Sequence, residues 1–120
     1  MILSGKSLGI KGEAAAAEHL KKHGYEIIEQ NYRCRFGEID IIGLDKGSLA
    51  FIEVKSRTSD RYGTPFEAVN YHKQKKIRQL AAYYLQAQER YMGSCRFDVV
   101  GVHLSKNGTI QKIEVIKNAF

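Results

Sequence analysis

The sequence predicts an α/β fold in which a mixed central sheet of about five strands is flanked by helices. Three observations predict it. An alanine-rich helical segment comes first, a β-rich hairpin runs from Gly37 to Lys55, and a second strand pair surrounds an Asn-Gly turn at 107–108. The expected element order is α-β-β-β-α-β-β. A chain of 120 residues is the usual size of one domain, so we expect a single domain spanning 1–120.

The first helix is predicted from Ser4 to His23. The run from Ala14 to Ala17 favours helix, and Gly24 is a natural C-terminal stop. The segment from Tyr25 to Tyr32 is then the first strand.

The hairpin turn sets a register. A two-residue loop at Lys46-Gly47, or a four-residue loop around it, pairs residues whose numbers sum to 93. Asp40 then lies opposite Glu53. Side chains alternate along a strand, so one face carries both carboxylates. That face consists of Glu38, Asp40, Ile42, Leu44, Leu49, Phe51, Glu53 and Lys55. The other face carries no polar side chain and consists of Ile39, Ile41, Gly43, Ala50, Ile52 and Val54. Both strands are therefore expected to be central.

The second helix is predicted to begin at Thr64-Pro65-Phe66-Glu67 and to end near Gly93. This segment supplies a capping hydroxyl, a proline at the first helical position and a glutamate three residues after the cap. A break at Tyr71-His72 is the alternative. The positions with helical spacing toward the sheet are Val69, Lys73, Ile77, Leu80, Tyr84 and Leu85.

The remaining segments are a loop and two strands. The stretch from Arg57 to Gly63 is polar and aperiodic, so an exposed loop is expected. Strands are predicted from Arg96 to Leu104 and from Thr109 to Ile116. Asp98 is expected to pair with Arg96 rather than to assist a site.

Asp40 and Glu53 create an electrostatic problem. Opposed carboxylates at the edge of a core repel each other, so a cation is expected between them. In the structural interpretation Lys55 neutralises Glu53 or Glu38. In the functional one a hard divalent cation, Mg²⁺ or Mn²⁺, binds Asp40, Glu53 and a backbone carbonyl near Val54.

Composition indicates the class of partner. Nineteen Lys and Arg against 13 Asp and Glu give a net charge of +6 and a pI of about 9.4, which favours a polyanion. Two cysteines, Cys34 and Cys95, form neither a disulfide scaffold nor a zinc site. Without a signal peptide or membrane-span pattern, the expected location is the cytoplasm, with no membrane partner.

Basic residues near the hairpin and on the second helix are candidates for nucleic-acid contact. We select Arg33, Arg35, Arg57, Lys73 and Lys76. The alternatives are solvated charged faces and, for Lys73, a lysine that snorkels from a buried face. No set of side chains for base readout is evident, so recognition of the backbone is expected.

The ordered motifs resemble a known family. These motifs are GIKGEAAAAEHL, NYRCRFGEIDII, FIEVKSR, AVNYHKQKKI and RFDVV. Together they resemble the PD-(D/E)xK nuclease superfamily, and the chain is similar to the uncharacterised bacterial YraN family, itself similar in fold to archaeal Holliday-junction resolvases. Ile39 stands where the superfamily name has proline, a common departure.

The resemblance implies a restriction-endonuclease-like fold and a set of roles. Asp40 and Glu53 would ligate the metal, and Lys55 would orient the attacking water. Glu13, on the first helix, would join the metal site, or else be a solvated helix glutamate. Glu38 is expected to contact Lys55 rather than the metal.

The sequence thus predicts a metal-dependent endonuclease acting on DNA, with branched or structured DNA as a candidate substrate. One alternative is a non-catalytic nucleic-acid-binding module of nuclease fold. Another is an interaction protein whose charges are incidental. A homodimer would suit symmetric cutting of two strands. The choices between DNA and RNA, and between one metal and two, stay open.

Overall fold

A computed structural model describes residues 2–58, 66–88 and 93–120. The elements are α1 (Gly5–Lys22), β1 (Glu26–Cys34), β2 (Gly37–Asp45), β3 (Ser48–Arg57), a 3₁₀ turn (Phe66–Ala68), α2 (Tyr71–Ala87), β4 (Cys95–Leu104) and β5 (Ile110–Ile116). The predicted order α-β-β-β-α-β-β is confirmed. Within the described residues, no helix is long and apolar enough to cross a membrane.

The five strands form one mixed sheet in the order β1-β2-β3-β4-β5. Neighbours pair antiparallel except β3 and β4, which are parallel because the chain crosses through α2 between them. The hairpin strands β2 and β3 are central, as predicted. Leu20 of α1 packs with Ile52 on one face of the sheet, and Tyr84 of α2 packs with Phe51 on the other.

The predicted register of the hairpin is confirmed. Lys46 and Gly47 have φ angles of 50° and 84°, as a two-residue type I′ turn requires. Pairing runs from Asp45–Ser48 to Ile41–Ile52, and the two residue numbers of each pair add up to 93. The β2–β3 ladder stops there, one pair before Asp40 and Glu53.

Ile39 was expected on the face of Ile41 and Ile52, and this prediction is wrong. Ile39 packs with Ile42 on the α2 side of the sheet. Asp40 is paired in neither neighbouring ladder. The β1–β2 pairing passes from Gln30–Ile41 to Tyr32–Ile39 without a change of register, at Asn31 with a φ of 53°, and the β2–β3 ladder ends at Ile41–Ile52. With both ladders interrupted around Asp40, the strict alternation of side chains is lost.

The predicted start of the second helix is also wrong. Thr64 and Pro65 lie outside the described residues, and Phe66–Ala68 is only a 3₁₀ turn. The helix α2 begins at Tyr71 because the Asn70 side chain caps it, accepting the Lys73 N–H at 2.9 Å. The alternative break at Tyr71-His72 is therefore close to the observed start.

The ends of the flanking segments also differ from the prediction. The helix α2 stops at Ala87 with Gln88 as its C-cap, before Gly93. Arg57, expected in a loop, is the last residue of β3, and Thr58 is exposed. The rest of the predicted loop, 59–63, lies outside the described residues.

A buried ion network ties the turn end of the hairpin to β4. Arg96 Nε lies 3.0 Å from Asp98 Oδ1, which confirms that pairing, and Arg96 Nη2 lies 2.6 Å from Asp45 Oδ2. Lys117 Nζ lies 2.9 Å from Asp45 Oδ2, and the Tyr25 hydroxyl donates to Asp98 at 2.8 Å. Hydrogen bonds from Lys117 and Arg96 lower the pKa of Asp45. Both carboxylates are thus compensated by internal cations.

Helix α1 approaches β3 most closely at Gly12. A Cβ at this position would lie 1.8 Å from Ser56 Oγ and 3.0 Å from Ser56 Cβ. Only glycine permits this distance. The close approach places the next residue, Glu13, on a turn of α1 that lies beside β3.

We therefore expect Gly12→Ala to destabilise the protein by roughly 1–3 kcal/mol, because overpacking outweighs the better helix propensity of alanine. Gly9→Ala, with nothing within 4 Å of its Cβ, is the matched control and should stabilise by up to ~1 kcal/mol. Urea unfolding of both variants and of Gly12→Ala/Ser56→Gly measures the effect. Equal stability of Gly12→Ala and Gly9→Ala would contradict the close approach.

Candidate functional site

Asp40 sits where the β2–β3 ladder ends. The Val54 N–H donates to Asp40 Oδ2 at 2.8 Å, so a side chain takes the position of the next ladder bond. The carboxylate is half-buried. It forms no ion pair within the described residues.

Glu53 is the second carboxylate of the site, with 6% of its surface exposed. Lys55 Nζ lies 3.5 Å from Glu53 Oε1, and Lys73 Nζ from α2 lies 3.3 Å from the same oxygen. Lys73 therefore reaches the site from the facing helix. Two lysines share one carboxylate, whereas the Val54 N–H is the only donor that the described residues supply to Asp40.

The electrostatics follow from this arrangement. The pKa of Asp40 is raised to about 7, mainly by burial and next by the negative charge of Glu53. The hydrogen bond from Val54 acts in the opposite direction and lowers the pKa. Glu13 and Glu38 add to the rise. The pKa of Glu13 is also raised, by burial and by the charges of Glu38 and Glu53. Four carboxylates thus lie within one electrostatic field.

Asn31 links two of these carboxylates and was not among the residues that the sequence predicted for the site. With its amide oriented to donate, its nitrogen lies 2.6 Å from Glu38 Oε1 and 3.2 Å from Glu13 Oε2. The available signal was an asparagine inside a strand pattern, since asparagine tolerates a positive φ. Glu38 was expected to contact Lys55, and this is wrong. It pairs with Arg33, its register partner on β1, at 3.4 Å.

The site residues line three adjoining cavities. The Asp40 cavity, about 280 Å³, is lined by Gly37, Glu38, Asp40, Glu53, Lys73, Lys76, Ile77 and Leu80. The α1 cavity, about 430 Å³, is lined by Gly5, Leu8, Gly9, Glu13, Val54, Lys55, Ser56, Arg57, Thr58 and Leu104. A third, about 510 Å³, includes Glu13, Asn31, Arg33 and Glu38. The structure therefore brings Asp40 and Glu53 together in one cavity, with Glu13 and Lys55 in the next.

Four of the five selected basic residues border these cavities. Lys73 and Lys76 line the Asp40 cavity, Arg57 lines the α1 cavity, and Arg33 lines the third. Arg35 lies apart from them in a different pocket beside Phe36.

The donor set suits a hard divalent cation in its chemistry. Asp40, Glu53 and Glu13 offer carboxylate oxygens, and the charge of Asp40 is not matched by any side chain of the described segments. As they stand, no three Asp, Glu, His or Cys side chains in these segments are grouped closely enough to hold an ion. Binding would therefore require Glu13 or Glu53 to change rotamer.

Comparison of the sequence with known proteins identifies its family. Residues 12–102 match the model of the uncharacterised protein family UPF0102. The chain belongs to this family. The resemblance to the YraN family is thereby confirmed, since the two names describe the same family.

Several UPF0102 proteins are similar over most of their length. The protein from Desulforamulus reducens is 48% identical, covering 99% of each chain. The one from Moorella thermoacetica is 47% identical over all of both chains, and the one from Syntrophus aciditrophicus 51% over 93% of this chain and 87% of its own.

Among solved structures, a repair endonuclease from Pyrococcus abyssi is similar at 22% identity and a TM-score of 0.38, covering 76% of this chain and 35% of that one.

The raised pKa of Asp40 predicts a pH-dependent stability. Its carboxyl titrates near 3.8 when unfolded and near 7 when folded, so its proton favours folding. This contribution is fully present below pH 3.8 and is lost as the pH rises through about 7. Asp40→Asn keeps an oxygen for the Val54 N–H but carries no charge. In EDTA it should therefore gain stability over the native protein between pH 5 and pH 8, by on the order of 2 kcal/mol.

Urea unfolding at the two pH values measures this gain. Glu18→Gln, on the exposed face of α1, is the control and should show no such change. A stability difference between Asp40→Asn and the native protein that is the same at both pH values would contradict the electrostatic account.

Proposed function

We propose that this protein is a divalent-metal-dependent endonuclease that hydrolyses phosphodiester bonds in DNA. The observation that carries the proposal is the half-buried Asp40 carboxylate, which lies in the field of Glu53 and forms no ion pair with any described residue. Lys73 and Lys76 line the same cavity and supply positive charge for a phosphate.

In the proposed site, Asp40 and Glu53 hold Mg²⁺ or Mn²⁺, with Glu13 as a third ligand from α1. When bound, the metal would polarise a water and offset the charge that develops on the phosphate in the transition state. Glu13 follows Gly12, whose close approach to Ser56 brings this turn of α1 beside β3. The charges of Glu13 and Glu53 both act on Asp40, which supports Glu13 as the third ligand.

The lysines position the substrate and the water. Lys55 Nζ, 3.5 Å from Glu53 Oε1, can donate to an attacking water or to a phosphate oxygen beside that carboxylate. Lys73 and Lys76 bind the phosphate backbone from α2, and Arg33 and Arg57 extend the basic lining into the neighbouring cavities. Contacts of this kind recognise backbone and shape rather than base sequence.

The substrate class, the location and the oligomeric state are proposed from the sequence resemblance and from the net charge. A net charge of +6 supports a polyanionic substrate. We take branched or structured DNA as its class and the cytoplasm as the location, with 1–120 as one nuclease-like domain. A homodimer would place two such sites on two strands.

One observation favours a second function, a nucleic-acid-binding module that does not cut. Lys55 and Lys73 already neutralise Glu53, and within the described ranges no three ligands are grouped for a metal. In that case the lysines would contact phosphate, and the carboxylates would serve only to hold the lysines in place.

Cleavage of a DNA panel separates the two functions. Linear, nicked and four-way substrates are incubated with the protein in Mg²⁺ or Mn²⁺. Asp40→Asn and Lys55→Ala should each lower the rate by about 10²-fold or more, because each removes a group that acts on the transition state.

Glu18→Gln and Lys22→Ala, both on α1 outside the three cavities, are the controls and should cut at the native rate. Cleavage that survives Asp40→Asn and Lys55→Ala would exclude this mechanism. Salt-sensitive binding by the native protein without any cleavage would favour the binding module.

A further inference from the structure

A fourth pocket, separate from the carboxylates, lies between the β1–β2 turn and the second half of α2. It measures about 540 Å³ and is lined by Arg35, Phe36, Gln79, Ala82, Tyr83, Gln86 and Ala87. We call it the aromatic pocket. The roles assigned to the metal site leave Phe36 and Tyr83 without a function.

Two rings and a guanidinium form its wall. Phe36 and Tyr83 meet edge to face, with centroids 5.4 Å apart and planes at 72°. The Arg35 guanidinium lies 4.8 Å from the centroid of Phe36. Tyr83 is 39% exposed, so its ring is accessible to a ligand. Aromatic faces backed by arginine are the surface on which unpaired bases stack.

The polar lining also fits a nucleotide. Gln79 and Gln86 lie four residues before and three after Tyr83 on one helix, so their amides flank the ring. Each amide carries both donors and an acceptor, which match the edges of any base. Among the described residues of the lining, none is acidic, and the single charge is the cation of Arg35.

The aromatic pocket adjoins the Asp40 cavity. Phe36 precedes Gly37, which lines that cavity, and Lys76 lines it seven residues before Tyr83. Seven residues of helix rise about 10 Å. A strand that continues the stacking of a duplex from Lys76 covers this distance in about three nucleotides, at 3.4 Å for each.

We propose that the aromatic pocket stacks an unpaired nucleobase of the DNA, about three nucleotides from the phosphate held in the Asp40 cavity. The substrate class is then duplex DNA that continues into unpaired nucleotides. The distance to the cut rests on the proposed function, whereas the stacking itself does not.

The experiment measures binding and cleavage separately. Anisotropy of labelled DNA, in EDTA, compares a blunt duplex with duplexes that carry a three-nucleotide 3′ or 5′ overhang. The native protein should bind one overhang about tenfold more tightly than the blunt end, as stacking of one base predicts. Phe36→Leu and Tyr83→Leu should each remove this preference and leave the blunt-duplex affinity unchanged.

Three further variants serve as controls. Tyr83→Phe keeps the ring and should keep the preference, as should Tyr71→Leu, which removes a 78%-exposed ring elsewhere on α2. Asp40→Asn should keep the preference but not cleave in Mg²⁺. Its loss of cleavage therefore reports on the proposed function alone.

If the native protein shows no preference for an overhang, the inference is overturned even if the DNA is cut. It is also overturned if both leucine variants keep the preference. If the leucine variants instead change the sedimentation of the free protein, the pocket is an interface between two copies, and the inference is equally overturned. A preference that depends on both rings supports it, whether or not cleavage occurs.

Discussion

The hydrogen bond from the Val54 N–H to the Asp40 carboxylate determines the geometry of the whole site. It forms because the β2–β3 ladder stops at Ile41–Ile52, and a side chain rather than a carbonyl accepts the next donor. Asp40 is thereby held at the end of two central strands. Glu53 precedes the donor residue and Lys55 follows it, so one backbone group places all three beside one another. Both helices then close on this point from opposite faces of the sheet.

The carboxylates at the two ends of the hairpin differ in whether a cationic side chain compensates them. At the turn end of the hairpin, Asp45 and Asp98 are compensated by Arg96, with Lys117 as a second partner of Asp45. At the other end, the described part of the chain offers Asp40 a backbone donor but no ion-pair partner, and its pKa is raised by burial and by Glu53. A group that is costly to ionise and has no internal cation is typical of a functional site. The difference between the two ends supports an external cation at Asp40.

Local signals predicted much of this arrangement. The Lys46-Gly47 turn fixed the register, and with it the shared cavity of Asp40 and Glu53. The first helix occupies Gly5–Lys22 with Ser4 and His23 as its caps, one residue inside the predicted range at each end. The errors have different causes. Asp40 is unpaired in both ladders beside Ile39, and Glu38 faces Arg33 of β1, so strand pairing with β1 decided these two positions. The start of α2 was misplaced because a local cap at Asn70 begins the helix at Tyr71. The aromatic pocket was not predictable, because it joins a turn to a helix 47 residues further along the chain, from Phe36 to Tyr83.

The central claim is that Asp40 and Glu53 bind a divalent cation, and calorimetric titration of Mn²⁺ into the DNA-free protein at pH 8 tests it most directly. The account predicts saturable binding that falls at least about tenfold in Asp40→Asn and in Glu53→Gln, since each loses a charged ligand. Glu18→Gln should bind as the native protein does. Absence of uptake by the native protein, or unchanged uptake by Asp40→Asn, would contradict the account.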